Sequence, residues 1–267
     1  MERKNLSQIL KDAKIDYKRE YDRLYNLFYE VGTGQGDQVL REACAGSFWN
    51  MPMRGTCLSL DDFDEVYGIN FEKEPKDFDL NYLLNFCEYT YNLVIYTSFD
   101  MWNYSFYSPQ SVFQNQLNKV VDLIDYEFIN DGDTSVIILV PRKQEAIAVA
   151  EIVDKKLSYS VLEYNHHGLK GNLDKKKSIL KLMADDIEPQ RKILNGINKT
   201  LADNLFQMLQ KFVRHNNEDN PYIKGLSPEE LESCYDDIYQ MWLLAKLEID
   251  NLERKQRVEE TLRQINA

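Results

Sequence analysis

A guanidinium, an imidazole and a run of amide and acid side chains stand together at Arg214-His215-Asn216-Asn217-Glu218-Asp219-Asn220. An arginine can bind a phosphate through two parallel hydrogen bonds and stays charged at any working pH. A histidine beside it can take or give a proton near neutrality. Cleavage of an RNA phosphodiester needs those parts: a base for the 2′-hydroxyl, an acid for the leaving oxygen and a cation on the phosphate. In that chemistry Arg214 holds phosphate, His215 moves protons, and Asn216, Asn217 and Asn220 offer amides to the substrate, the first two to a base or sugar edge. The alternative is structural. Arg214 then pairs with a helix C-terminus or an acidic neighbour, and His215-Asn216-Asn217 is a C-cap, a place where Asn is favoured.

Other clusters carry less chemistry. The run Lys170, Lys175, Lys176, Lys177 and Lys181, followed by Arg191, Lys192 and Lys199, is the densest basic stretch of the chain. On helices it would give one positive face suited to a phosphate backbone, with Lys175 and Lys177 as substrate contacts; otherwise it is a solvated face. Gly32-Thr33-Gly34-Gln35-Gly36 follows a helical pattern rather than a strand, and no Lys-Ser/Thr pair comes after it, so it reads as a helix stop and not a phosphate loop. His166-His167 fall at the end of a strand-like segment, where adjacent side chains diverge and rarely share a metal. Asp185-Asp186-Glu188 sits at a helix boundary before Pro189. Asp236 and Asp237 are consecutive and so point about 100° apart on a helix. We expect no metal and no cofactor.

Composition narrows the class. The chain has 267 residues, 43% hydrophobic and 28% charged, enough for a sizeable core in an ordinary globular protein. A net charge of −12 opposes sequence-blind coating of DNA, which relies on counterion release by a positive surface. Cys44, Cys57, Cys87 and Cys234 lack CxxC or CxxH spacing, so they read as free thiols of a reducing compartment. No apolar run approaches a membrane span, and Met1–Leu6 has no leader-like apolar core, so a cytoplasmic protein with no membrane partner is expected.

The elements that must position these groups are mainly helices. Leu6, Leu10, Tyr17, Tyr21, Leu24 and Phe28 predict a helix over 5–30. Residues 37–78 are mixed, with a short helix near 37–44. Residues 79–102 form a long apolar helix that should be buried, and another follows from Ser108-Pro109 to about 124. The period then changes. Residues 126–129 and the β-branched run 134–140 flank Asp131-Gly132-Asp133 as a hairpin, 142–154 reads helical, and 157–164 alternates like a strand. Helices return at 172–184 and 187–213. Ser227-Pro228-Glu229-Glu230 is a capping box that starts the last helix, whose apolar stripe runs from Leu231 to Leu252 before the surface turns charged. The fold class is therefore mainly α: a helical bundle with a small α/β or β-hairpin insertion near 126–164, in one domain.

An arginine followed by a polar residue near a helix end, then a loop and a long closing helix, resembles HEPN domains. These are small α-bundles of toxin–antitoxin and abortive-infection systems against phage. The resemblance covers about 170–265 and rests on Arg214-His215 with the helix over 227–252. It implies a metal-independent RNase completed across a dimer, with RNA as substrate and a second copy or a cognate protein as partner. The family's closing histidine would fall where this chain has Asp219, Asn220 or Pro221. Either the site binds without cutting, or His166 or His167 takes that place in space. The competing expectation is a non-catalytic interaction module whose last helix dimerises or docks a partner.

Overall fold

The computed structural model describes residues 15–32, 38–97, 109–130, 134–215 and 220–266. The fold is mainly α with one two-stranded antiparallel hairpin. The chain forms two compact units, Met1–Leu139 and Val140–Ala267. The division falls inside the second strand, where the sequence has no linker composition.

In the first unit, Asp16 accepts a hydrogen bond from the Arg19 N–H and caps α1 (Tyr17–Tyr25). The helix runs on into a π turn, Asn26–Glu30, that buries Phe28. Two short helices follow, α2 (Leu40–Gly46) and α3 (Leu60–Val66), then the long apolar α4 (Leu80–Tyr96), capped by Asp79. Helix α5 (Pro109–Leu123) leads to β1 (Tyr126–Asn130) and β2 (Ile137–Pro141). The core is aromatic. Phe86 of α4 meets Tyr21 edge-on with ring centroids 5.0 Å apart, and Phe113 of α5 packs on Phe28 at 5.4 Å. Side chains of α4 also anchor β2. Asn92 accepts from the Ile137 N–H (2.9 Å) and donates to the Ile137 carbonyl (2.7 Å), as a neighbouring strand would. Glu88 accepts from the Leu139 N–H at 2.8 Å. A two-stranded ribbon is marginal alone, and a helix supplies what a third strand would give.

In the second unit, α6 (Gln144–Ala150) is followed by α7 (Lys155–Glu163), a helix where the alternating pattern suggests a strand. The reason is local. Asp154 accepts from the Lys156 and Leu157 N–H groups as an N-cap. Leu157, Ser160, Val161 and Tyr164 then fall at helical spacing on a buried face. Tyr164 stacks on Tyr239 at 4.1 Å and donates to Asp236 at 2.9 Å. Helix α8 (Leu173–Ile187) ends in a 3-10 turn at Glu188–Gln190. Helices α9 (Arg191–Ile197) and α10 (Lys199–Met208) follow, then a π turn, Leu209–Arg214. The expected single helix over 187–213 is broken at Asn198, whose side chain caps α10 through the Leu201 N–H. The last helix, α11 (Pro228–Ile265), begins at the capping box. Ser227 donates its N–H to Glu230, and Glu230 returns its N–H to the Ser227 hydroxyl. Trp242, Tyr235, Tyr239 and Ile238 of α11 are fully buried and form the centre of this unit.

Helices α8 and α11 run in the same direction. Lys176, early in α8, reaches Glu232 (2.8 Å) and Asp236 (2.7 Å), early in α11. Lys246, late in α11, reaches Asp186, late in α8, at 3.0 Å. The Lys176 ammonium, then the Gly171 N–H, hold the Glu232 carboxyl below its ordinary value of 4.5. A depressed folded-state value means that stability is fully present above the ordinary value and is lost as pH falls through the lower one. Urea unfolding should therefore show wild-type stability falling as the pH drops below 4.5. Glu232→Gln should be less stable at neutral pH and lose less over that window. Parallel pH profiles for the two proteins would contradict this.

Candidate functional site

Arg214 and His215 open onto a cleft of about 420 Å³ in the second unit. One wall is a single face of α10 and the π turn: Asp203, Gln207, Gln210, Lys211 and Arg214, at spacings of three and four opposite the apolar stripe. The other wall is Glu188 and Arg191, at the junction of α8 and α9, and Tyr222 closes one side. The π turn adds one residue to the local helical repeat and so changes the direction in which Arg214 leaves the helix, a device common at functional sites.

The cleft is organised around one carboxylate. Glu188 Oε2 lies 2.8 Å from Arg214 Nη1, and Glu188 Oε1 lies 3.5 Å from Arg191 Nη1. Two guanidiniums therefore converge on one anion held in place by the chain itself. Arg214 also donates to the Ala184 carbonyl at 3.2 Å, near the C-terminal, partially negative end of α8. So the structural role foreseen for Arg214, pairing with a helix end and an acid, is present, and the acid is Glu188. The side chain is still 34% exposed and lines the cleft, and a guanidinium has more donors than these two partners take. The Arg191 guanidinium lies over the Phe206 ring (4.5 Å) and the Lys211 ammonium over the Tyr222 ring (4.8 Å), so aromatic faces fix both cations. Three permanent cations face two carboxylates, Glu188 and Asp203, which leaves a small positive excess in a chain of net charge −12.

The other residues expected at the site divide. His215 is exposed and lines the cleft. Lys177 does not: it is buried, and its ammonium donates to the His215 carbonyl at 3.0 Å. Burial, then the neighbouring Lys181, lower its pKa. It positions His215 from behind. Lys175 is exposed but pairs with Glu163 (2.9 Å), away from the cleft. The single positive face expected of the lysine run is absent, because α8 turns Lys176 and Lys177 into the interior and leaves Lys175 and Lys181 outside. Asn220 is buried. Its amide donates to the Lys211 carbonyl and accepts from the Tyr222 N–H (3.0 Å), so it fastens the loop after the π turn. Asn216 and Asn217 lie outside the described residues. His166 and His167 occupy a turn after α7 and are not among the residues lining the cleft. Lys211 and Tyr222 are not among the residues the sequence points to; Arg191 stands there only in the basic run and Glu188 only in a carboxylate cluster at a helix boundary. The polar spacing 203, 207, 210, 211, 214 opposite the apolar stripe was the available signal for one wall.

No protein-family model matches the chain, and neither does any curated protein or solved structure. Among the described residues no helix is long and apolar enough to cross a membrane.

Glu188 occupies the point on which both guanidiniums converge, so an anion entering the cleft must displace it, and neutralising it should open the site. Glu188→Gln should bind inorganic phosphate, used as a probe anion, several-fold more tightly than wild type at low salt, read by isothermal titration calorimetry. Weaker binding would show that Glu188 is needed to hold the arginines in place rather than competing with the ligand.

Proposed function

We propose that the protein acts on RNA in this cleft, as a HEPN-like defence or toxin-type protein with metal-independent RNase chemistry. The observation that carries the reading is the convergence of Arg191 and Arg214 on one carboxylate beside an exposed imidazole, that of His215. A phosphodiester displaces Glu188 and takes its place between the two guanidiniums, which suit phosphate oxygens in bidentate geometry. Lys211 adds charge next to them, and Tyr222 offers a face on which a base can stack. His215 takes the 2′-hydroxyl proton. With one imidazole in the cleft, the leaving oxygen is protonated by the same group in a later step or by a group from a second copy. Such positioning and charge stabilisation need no metal.

Purified protein should cleave single-stranded RNA with EDTA present. His215→Ala should lower the rate by roughly a hundredfold or more, the usual contribution of a general base. Arg214→Ala should abolish cleavage and weaken RNA binding. RNA bound but left intact by the wild type would make the protein a binding relative, and absence of both binding and cleavage would discard the RNA reading.

A second reading has its own support. Beyond Leu252, α11 is exposed, and Val258, Leu262 and Ile265 stand 54%, 52% and 73% exposed at spacings of four and three. That is a short seam of the kind by which helices pair. We propose that two copies associate through it. The wild type should sediment as a dimer at micromolar concentration and Leu262→Glu as a monomer. A wild-type monomer would remove this reading.

A further inference from the structure

We infer that the first unit carries a docking surface for a protein segment with an aromatic anchor residue between basic flanks. The anchor site is a cavity of about 430 Å³, within the size range of pockets that enclose small ligands and large side chains. Its walls are Phe63, Phe71, Tyr82 and Tyr89, with Met51 and Met53 at one side. Phe71 lies edge-on to Tyr82 (5.5 Å) and tilted to Tyr89 (5.5 Å), so ring edges and faces are both presented. Thioethers make favourable contacts with aromatic rings and adapt to their shape. These walls suit an aromatic guest better than an aliphatic one.

The polar groups of the cavity are mostly committed. Tyr89 donates to Asp64 at 2.6 Å, Tyr82 accepts from the Glu72 N–H at 2.9 Å, and Asn92 is spent on β2. Asn70 and Asn85 add amides to the lining, so the cavity offers mainly aromatic and thioether surface with a few polar groups at its walls. Its lining includes the carboxylate of Glu88 and neither lysine nor arginine.

The surface beside the cavity has the composition of an interface. Arg54 follows Met53 in the chain, and its guanidinium lies 4.8 Å from the ring of Trp49, which is 61% exposed. Gly55 adopts φ +58°, a conformation that favours glycine, and the Tyr67 hydroxyl lies in ordinary contact beside it. Tyr67 in turn packs on Phe63 of the cavity at 4.6 Å. Trp49, Arg54 and Tyr67 thus form a connected rim, and Leu58 and Val66 are exposed in the same segment. Trp49 and Tyr67 are exposed, and Arg54 is half-buried with its guanidinium donating to the Cys57 carbonyl (2.9 Å); Trp, Tyr and Arg are the residues that the energetic centres of protein interfaces contain. Single exposed apolar residues need no explanation, but a connected group around a cavity does.

Charge selects the flanks. Helix α3 carries Asp61, Asp62, Asp64 and Glu65, against which two cations stand: Arg41, bound to Asp61 (2.7 Å) and Asp64 (2.6 Å), and Arg54 of the rim. The rim is negative overall, in a chain of net charge −12. Basic residues on either side of the anchor complement it, and acidic ones are repelled.

The test uses the full chain and a fluorescein-labelled peptide, Arg-Lys-Ala-Phe-Ala-Lys-Arg, read by anisotropy. The peptide should bind, and replacing its Phe by Ala should weaken it about tenfold or more, as loss of a buried anchor does. A version with Glu in place of the basic residues should not bind. Trp49→Ala, on the exposed rim, and Ile69→Glu, in the cavity wall, should each weaken binding, with far-UV circular dichroism confirming that both remain folded. If Ile69→Glu fails to fold, Trp49→Ala alone decides. Equal binding of the Phe and Ala peptides would reduce the effect to bulk attraction by an acidic protein and overturn the inference. So would undiminished binding by Trp49→Ala, equal binding of the Glu version, or no binding of the parent peptide.

Discussion

The second unit depends on the parallel seam between α8 and α11, on two lysines buried in that seam and on a third buried beside it. Lys176 points from α8 to the acids of α11, and Lys246 points from α11 to the acid of α8. Each ammonium is almost fully enclosed, whereas its carboxylate partners keep more contact with water: the Asp236 side chain is half exposed. Pairs of this kind add little net stability, because desolvation offsets attraction. They are selective instead. A one-residue slip of either helix would leave a buried cation without an anion, which costs several kcal/mol. The two pairs, at opposite ends of the seam, exclude slips in both directions. The apolar contacts of Trp242, Ile238, Leu180 and Met183 supply the cohesion, and the lysines supply the register.

The third lysine links that register to the cleft. Lys177 is adjacent to Lys176, so on a helix it points about 100° away, and its ammonium meets the His215 carbonyl. The position of His215 is therefore set from α8. The position of Arg214 is set from the other end of α8, by the Ala184 carbonyl and Glu188. One helix holds both members of the Arg-His pair at two points along its length. Between those points the chain leaves α8, breaks at Asn198, and returns through a π turn. A continuous helix over 187–213 would carry Arg214 away from Glu188, so the breaks are what closes the cleft.

Much of this was legible in the sequence, for identifiable reasons. The capping box at Ser227 and the β-branched run before Pro141 are short-range signals, read from a few adjacent residues, and both occur in the structure. The cluster at Arg214 was legible because its residue types are unusual together. Other features were not. The alternation over 157–164 also fits a helical face, and Asp154 as a cap decides between them. The lysine run could not be divided into inward and outward members without knowing that Glu232, Asp236 and the His215 carbonyl lie across from it. In the sequence Asn220 reads as a ligand group, because its commitment to Lys211 and Tyr222 depends on the loop conformation. The division inside β2 left no compositional trace, since that strand is apolar for its own packing.

Under the proposed RNA reading, the cleft would be a site for a polyanion in an acidic chain. A uniform negative surface repels phosphate at long range, and a positive excess confined to one cleft acts only within about a Debye length, roughly 8–10 Å at physiological salt. Affinity must then come from short-range geometry rather than steering, which favours guanidiniums fixed in advance. Arg191 is fixed by the Phe206 ring and Glu188, and Arg214 by Ala184 and Glu188. Glu188 has two opposite effects. It orders both arginines, lowering the entropic cost of binding, and it competes for the place it has ordered. In that reading a carboxylate of one charge would be exchanged for a phosphodiester of one charge, and the local charge balance would be unchanged by binding. What changes is the geometry, because a phosphodiester presents its two free oxygens tetrahedrally and continues into sugar and base on either side. Selectivity in such a cleft then lies with the groups that flank the exchanged anion: Tyr222 with Lys211 on one side, and the two glutamines, Gln207 and Gln210, along the wall.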